Sequence, residues 1–369
     1  MAEIRMDSEG WQAVIAEAFT FENAARLARA YAAYLLEQGG RRVVVGYDTR
    51  FLSPRFAERV AGVLSAEGLE VYLAKTSLPA PVLSFAVRHL EADGGVMVTG
   101  GGRPAEYLGL AFRDREGASL APEALAVVGE RVQPTALERE GTYQTFDLRR
   151  PYYQALLAHL DRESLGAYEG VLYHESLGGA TGGWVSGFVK EAGLRLELRE
   201  LHAVPDVLFY GVVPVPEAKS LFTATTLLRA EQDPTFAVVH DGDGSRLGVV
   251  LAGGRLLSAE EVFALLLYHL HQKGLRGRVV SGFGEGGVLG RLAGRLGLEF
   301  ETASSPTEVL RARGALLAGE PSGRFCFGPH LPQSDGLLAG LLLLEMVAQS
   351  GRSLGQQLEE MGLSASPRG

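Results

Sequence analysis

Phe236-Ala-Val-Val-His-Asp-Gly-Asp-Gly-Ser-Arg246 is an apolar strand that runs into a glycine-softened acidic loop. The loop projects Asp241 and Asp243 from alternate positions. Two carboxylates so spaced suit a hard divalent cation such as Mg²⁺, which takes oxygen ligands at tight octahedral distances. A third carboxylate at the next alternate position would complete the cage, but that residue is Ser245. The pattern predicts a metal loop one ligand short. His240, just before the acids, is expected to pack beside the loop rather than to ligate.

Outward from this loop, three segments share one pattern. Arg42–Asp48 is an apolar strand, followed by the helical stretch Pro54–Glu67, then Gly68-Leu69 and the strand Glu70–Leu73. Gly170–His174 leads through Gly178–Gly183 to a helix ending near Glu191, then Gly193-Leu194 and Arg195–Leu198. Arg278–Gly282 leads to the helix Val288–Leu296, then Gly297-Leu298 and Glu299–Glu301. Each unit is strand, loop, amphipathic helix, a C-terminal glycine and a second strand. Each continues into a strand and a glycine-rich loop: Gly95–Pro104 in the first, the acidic loop in the second, Ala315–Phe327 in the third. The landmarks are about 100 to 125 residues apart, the size of a small domain and too long for a solenoid repeat. The expectation is three tandem α/β domains with mixed sheets, 1–147, 148–253 and 254–369, whose loops face one cleft. The alternative is that the periodicity reflects only generic α/β architecture.

Composition narrows the partners. A net charge of −9 with no basic stripe argues against nucleic acid or an anionic membrane. The longest oily run, Leu337–Val347, is too short to span a bilayer and contains Glu345; it is expected to be a core helix capped by Asp335. No apolar segment of signal type opens the chain, and its one cysteine, Cys326, suits a buried inert thiol in a reducing, cytoplasmic setting. His269 and His271 stand at i and i+2 on a helix and are expected at the surface; the histidines show no ligand spacing.

At its loops the chain resembles the α-D-phosphohexomutases, the phosphoglucomutase/phosphomannomutase superfamily, from about Met6 to about Met361. The residues that carry the resemblance are Gly10-Trp11, Phe19-Thr-Phe-Glu-Asn23, Val45-Gly-Tyr-Asp-Thr-Arg-Phe-Leu-Ser53, Asp93–Thr99, Asp241–Arg246, Gly319-Glu-Pro-Ser-Gly323 and Ser334-Asp-Gly336. The resemblance implies four domains around a cleft, a phosphoserine that exchanges its phosphoryl group with a hexose phosphate, and Mg²⁺. Such chemistry rests on positioning and charge neutralisation.

Several aligned positions depart from the family pattern. Where the family reads Thr-Ala-Ser-His-Asn-Pro, this chain has Thr99-Gly100-Gly101-Gly102-Arg103-Pro104, so the nucleophile position is Gly101. The Thr99 hydroxyl is offset by two strand residues, roughly 6–7 Å, too far for in-line transfer. A lysine of the family is Ala111, the third metal acid is Ser245, and an arginine near phosphate is Gln12. The third-domain Gly-Phe-Lys motif is replaced near Ser305-Pro306-Thr307, and the chain reaches Gly369 soon after the expected helix Ser353–Met361, which leads to the expectation that the fourth domain is absent.

Other positions match. Glu320 and Ser322 align with the family's sugar-hydroxyl pair, with Pro321 in place of a second glutamate; Arg246 and Arg50 align with arginines near the phosphoryl site, and Asp48 with an acid on the same strand. Arg50 and Asp48 are alternatively a structural pair. The expected sites are therefore Glu320, Ser322, Arg246 and Arg50 for a hexose phosphate, and Asp241, Asp243 and Ser245 for a weak or vestigial Mg²⁺. The favoured expectation is a phosphohexomutase-like protein without mutase activity that binds a sugar phosphate or a protein partner, including a second copy of itself. An active phosphotransferase with an altered site or partner subunit is the second reading; an assembly protein with a vestigial cleft is the third.

Overall fold

The computed structural model describes residues 4–134, 139–284, 287–305, 309 and 314–363. Pro306 and Thr307 lie outside them. Strands β1 (Gly10–Val14), β2 (Arg42–Tyr47), β3 (Glu70–Ala74), β4 (Gly94–Val98), β5 (Tyr107–Asp114) and β6 (Gln144–Phe146) form one sheet in the order β1-β5-β4-β2-β3-β6. β7 (Val171–Glu175), β8 (Glu197–Leu201), β9 (Phe236–His240) and β10 (Leu247–Leu251) form a second, ordered β10-β9-β7-β8. β11 (Val279–Ser281), β12 (Phe300–Thr302), β13 (Leu317–Glu320) and β14 (Arg324–Cys326) form the third, ordered β12-β11-β13-β14.

One four-strand motif recurs in all three sheets. The unit's first strand lies between two parallel neighbours, and a fourth strand returns antiparallel: β3-β2-β4-β5, β8-β7-β9-β10 and β12-β11-β13-β14. Parallel neighbours need a crossover, which the helices Ser53–Ala66, Trp184–Ala192 and Val288–Arg295 supply. The periodicity in the sequence is thus a repeat of topology, beyond generic α/β architecture. In the first sheet β1 is added against β5, with Gly10 opposite Ala111; a Cβ at Gly10 would lie 1.9 Å from the Leu110 carbonyl oxygen.

The helix Gly336–Ser350 is buried from Gly336 to Val347, as a helix apolar all round must be. Asp335 caps it, accepting from the Leu338 amide at 3.0 Å. Around it a continuous core joins the units, from Val82 and Leu83 through Trp184 and Phe188 to Phe263 and Leu341. Polar contacts tie the same seams. Tyr152 donates to Asp335 at 2.6 Å, Thr49 to the Gly178 carbonyl at 3.1 Å, and the Ala80 amide to the Asp243 carbonyl at 2.8 Å. Cys326 is buried as expected, and burial pushes its thiol up to about 12.

His269 departs from its expected surface position: it is buried, 2.5 Å from Glu345. Spacing along a helix says which residues share a face, not which face meets the core. Glu345 also accepts from Lys273 at 2.5 Å and from the Asp161 amide. Removing this carboxylate strands an amide and a buried imidazole. Glu345→Ala is expected to lower unfolding free energy by about 3–5 kcal/mol, read from denaturant midpoints; a loss under about 0.5 kcal/mol would show that the cluster is not a structural anchor.

Candidate functional site

The hairpin loops after β4, β9 and β13 hold the same place in the three sheets, at the carboxyl ends of parallel strands where α/β folds bind ligands. They meet. Thr99 Oγ1 lies 3.2 Å from Asp243 Oδ2, the Leu247 amide donates to the Gly323 carbonyl at 2.9 Å, and Arg246 bridges to Arg324.

The acidic loop is folded on itself. Asp241 accepts from the Arg246 amide at 3.0 Å and from the Ser245 hydroxyl at 3.2 Å; Arg246 Nε stands 3.7 Å away. Asp243 accepts from the Ser245 amide at 3.1 Å. Burial, with the Asp243 charge adding to it, pushes Asp241 up to about 7. Burial also raises Asp48, against the pull of Arg50. Thr99 Oγ1 lies 2.8 Å from Asp48 as well as near Asp243, so one hydroxyl proton serves two carboxylates. Among the described residues no group of three or more His, Cys, Asp or Glu side chains could hold a metal. What is present is a set of hard oxygen donors in which two buried carboxyl groups, Asp241 and Asp243, lie in one loop. That chemistry fits a hydrated divalent cation held by Asp241, Asp243 and Ser245, and not a full protein cage.

The glycine loop is open at one position and filled on both sides. Gly101 has φ +53°, and a Cβ there would meet only Asp243 Oδ2, at 3.8 Å. A Cβ at Gly100 would lie 2.6 Å from Arg50 Cζ, and one at Gly102 would lie 1.9 Å from Arg246 Nη1. Thr99 is buried, and its hydroxyl also accepts from the Gly101 amide at 2.8 Å. Ala111 is buried in β5, and Gln12 accepts from Arg103 at 2.8 Å.

For Arg50 the structure favours the structural alternative over ligand contact. Its side chain has no exposed surface. Nε donates to Asp48 at 3.1 Å, Nη1 to the carbonyls of Pro104 and Tyr107, and Nη2 to those of Gly101 and Arg103. The guanidinium also lies 4.7 Å from the Phe209 ring. A rigid fork of five donors matches this ring of acceptors and leaves none for a ligand.

Arg246 is placed differently. It lines a groove of about 440 Å³ with Val215, Glu217, Ser258 and Ser322, and its Nε has no hydrogen-bond partner. Glu320 is buried and accepts from the hydroxyl of the exposed Ser322, which lines the same groove. Arg246 therefore stands between the Gly102 backbone and the Glu320–Ser322 pair.

Two features escape the sequence reading. Arg324 donates to Glu9 at 3.0 Å, joining residues 315 apart in sequence. Burial would raise Glu9, but the charges of Arg324 and Arg113 overcome it and hold the carboxyl down at about 2. In the sequence its only signal is a lone cation opening an apolar strand. Under the acidic loop, His240 pairs with His174 at 3.1 Å.

The raised Asp241 has a consequence with a definite sign. The folded state keeps this proton up to about 7, whereas an unfolded aspartate releases it near 3.8. Between these values the folded state binds more protons, so stability falls as pH rises and the loss is complete above 7. In chelator, Asp241→Asn is expected to gain on the parent by roughly 2–4 kcal/mol between pH 4 and pH 8. An unchanged difference across that range would contradict the burial argument.

The comparisons with known proteins agree with this geometry. Family models for phosphoglucomutase/phosphomannomutase, alpha/beta/alpha domains I, II and III match residues 4–138, 150–254 and 259–362. A "Probable phosphoglucosamine mutase" of Pyrococcus abyssi is 28% identical over 356 residues, covering 93% of this chain and 76% of the relative. A phosphoglucomutase/phosphomannomutase of Thermococcus kodakarensis is 25% identical over 363 residues, covering 95% and 79%. Among solved structures, a Thermus thermophilus protein assigned as a phosphomannomutase is 43% identical with a TM-score of 0.95, covering 98% of this chain and 83% of that one. The fold is also that of Aspergillus fumigatus N-acetylphosphoglucosamine mutase, solved with GlcNAc-6P and magnesium, at 13% identity and a TM-score of 0.64 over 97% of this chain and 80% of that one. With three successive domain models matched and the three loops meeting as one site, the chain belongs to the phosphoglucomutase/phosphomannomutase family.

Proposed function

We propose that this family member binds a phosphorylated hexose in the cleft without passing the phosphoryl group through the protein. The observation that carries the reading is Gly101: the nucleophile position has no side chain, and its neighbours Gly100 and Gly102 are packed under Arg50 and Arg246. Arg246 supplies a cation for phosphate, and Glu320 with Ser322 supplies an acceptor and a donor for a sugar diol. When bound, Mg²⁺ on Asp241, Asp243 and Ser245 would neutralise charge beside the phosphate. Relatives named as hexose-phosphate mutases support the ligand class.

A second reading keeps the enzyme active with an altered site. It rests on the relatives' names and on Thr99, whose hydroxyl lies 2.8 Å from Asp48. Against it, Thr99 is buried and hydrogen-bonded three ways.

Two measurements decide. Purified protein is expected not to convert glucose 1-phosphate to glucose 6-phosphate; turnover at a rate typical of mutases would end the binding reading. Calorimetric titration with hexose phosphates and bisphosphates, with and without Mg²⁺, is expected to give saturable heat, weakened about tenfold in Glu320→Ala. No heat with any of them would leave the cleft vestigial and favour an assembly protein.

A further inference from the structure

Where residues from all three domains meet lies a cavity of about 370 Å³. Arg88 and His89 reach it from the helix Ala80–His89, His159 from the turn after the helix Arg149–Leu157, and His330 from the loop before Asp335. Phe85 and Leu331 supply apolar walls. Among the described residues no acidic side chain lines it, although the chain carries a net charge of −9.

The histidines form a relay anchored on a buried acid. His330 Nε2 is 2.9 Å from Asp335 Oδ2, which also accepts from Tyr152 OH at 2.6 Å, and His330 Nδ1 is 3.2 Å from His159 Nε2. A carboxylate only accepts, so Asp335 fixes the Nε2–H tautomer of His330. In the neutral relay His330 Nδ1 then accepts from His159 Nε2–H. The remaining His159 nitrogen carries a lone pair. Arg88 is steered into the same place, since its Nη1 donates to the His330 carbonyl at 2.8 Å.

We propose that this three-domain junction is a binding site for a phosphate-type oxyanion, either inorganic phosphate or the phosphate of a small monoester, distinct from the sugar-phosphate cleft. The guanidinium of Arg88 supplies the charge. A protonated phosphate matches the relay because it brings the one proton the relay lacks. Its P–OH donates to the remaining nitrogen of His159, whose ring is pushed down to about 4 by burial and so stays a neutral acceptor. Sulfate, unprotonated at neutral pH, offers no such proton and is expected to bind less well. The inference does not depend on the cleft reading, because none of these residues belongs to the cleft. The two places are nonetheless linked: Asp335 opens the helix whose first amide, at Gly336, donates to the Gly244 carbonyl of the acidic loop at 3.2 Å.

The test uses the full chain at pH 7. Inorganic phosphate is titrated while the side-chain ¹⁵N resonances of the histidines are followed by NMR, with sulfate as the comparison. The expected result is saturable shifts of His159 and His330 with phosphate. The dissociation constant should rise at least about tenfold in Arg88→Gln and in His159→Asn, and hold unchanged in Arg246→Ala. Titrating a hexose 6-phosphate into Arg246→Ala separates the two sources: saturable shifts would extend the site to monoesters, and their absence would restrict it to free phosphate. The proposal is overturned if millimolar phosphate moves neither ring. It is equally overturned if binding is lost in Arg246→Ala yet retained in Arg88→Gln, which would put the anion in the cleft. The wild-type resonances decide even where a variant fails to fold.

Discussion

Arg50 holds the cleft together by having nothing left over. A guanidinium offers five N–H donors in a fixed plane. Here one meets Asp48 and four meet carbonyls of the loop between Gly101 and Tyr107. Buried donors without partners are costly, so this arrangement fixes the glycine loop as firmly as the loop fixes the arginine. It also holds Asp48 against Thr99, whose hydroxyl reaches Asp243 in the next domain. Two domains therefore share one buried polar network, and the third joins through Arg324 and Glu9. The loops are set relative to one another by the protein's own contacts, and pre-set polar groups bind with less ordering cost.

The electrostatics of the site follow from the same packing. Three carboxylates, Asp48, Asp241 and Asp243, are gathered where water is excluded, and burial raises both Asp48 and Asp241. A positive charge brought beside them is favourable whether it comes from Arg246 or from a divalent cation. Arg246 connects this acidic loop to the groove, its buried Nε turned toward Asp241 at 3.7 Å while the residue lines the groove wall. Gly101 lies within this field with space around it and no side chain to react. The cleft thus gathers polar groups around a loop whose middle residue, Gly101, offers only backbone.

The repeat was legible because it is written in local terms: strand, amphipathic helix, glycine after the helix, strand. The acidic loop, the Glu320–Ser322 pair and the Asp335 cap were legible for the same reason, since each is a short-range pattern. The meeting of the loops was legible only as an economy of three similar domains. What could not be read was the set of acceptors around Arg50, because a sequence names a donor and not its partners. Glu9 with Arg324 and His269 with Glu345 are likewise pairings across long separations, fixed by how sheets and helices stack. The relay from Asp335 to His159 joins residues 159, 330 and 335, which no spacing rule connects.

The central claim is that phosphate is held here and never transferred to the protein. Intact-mass spectrometry after incubation with a hexose 1,6-bisphosphate and Mg²⁺ tests it most directly. The account predicts a protein of unchanged mass under denaturing conditions, with the sugar bisphosphate recovered whole. A covalent phosphoryl adduct that disappears when hexose monophosphate is added would contradict it.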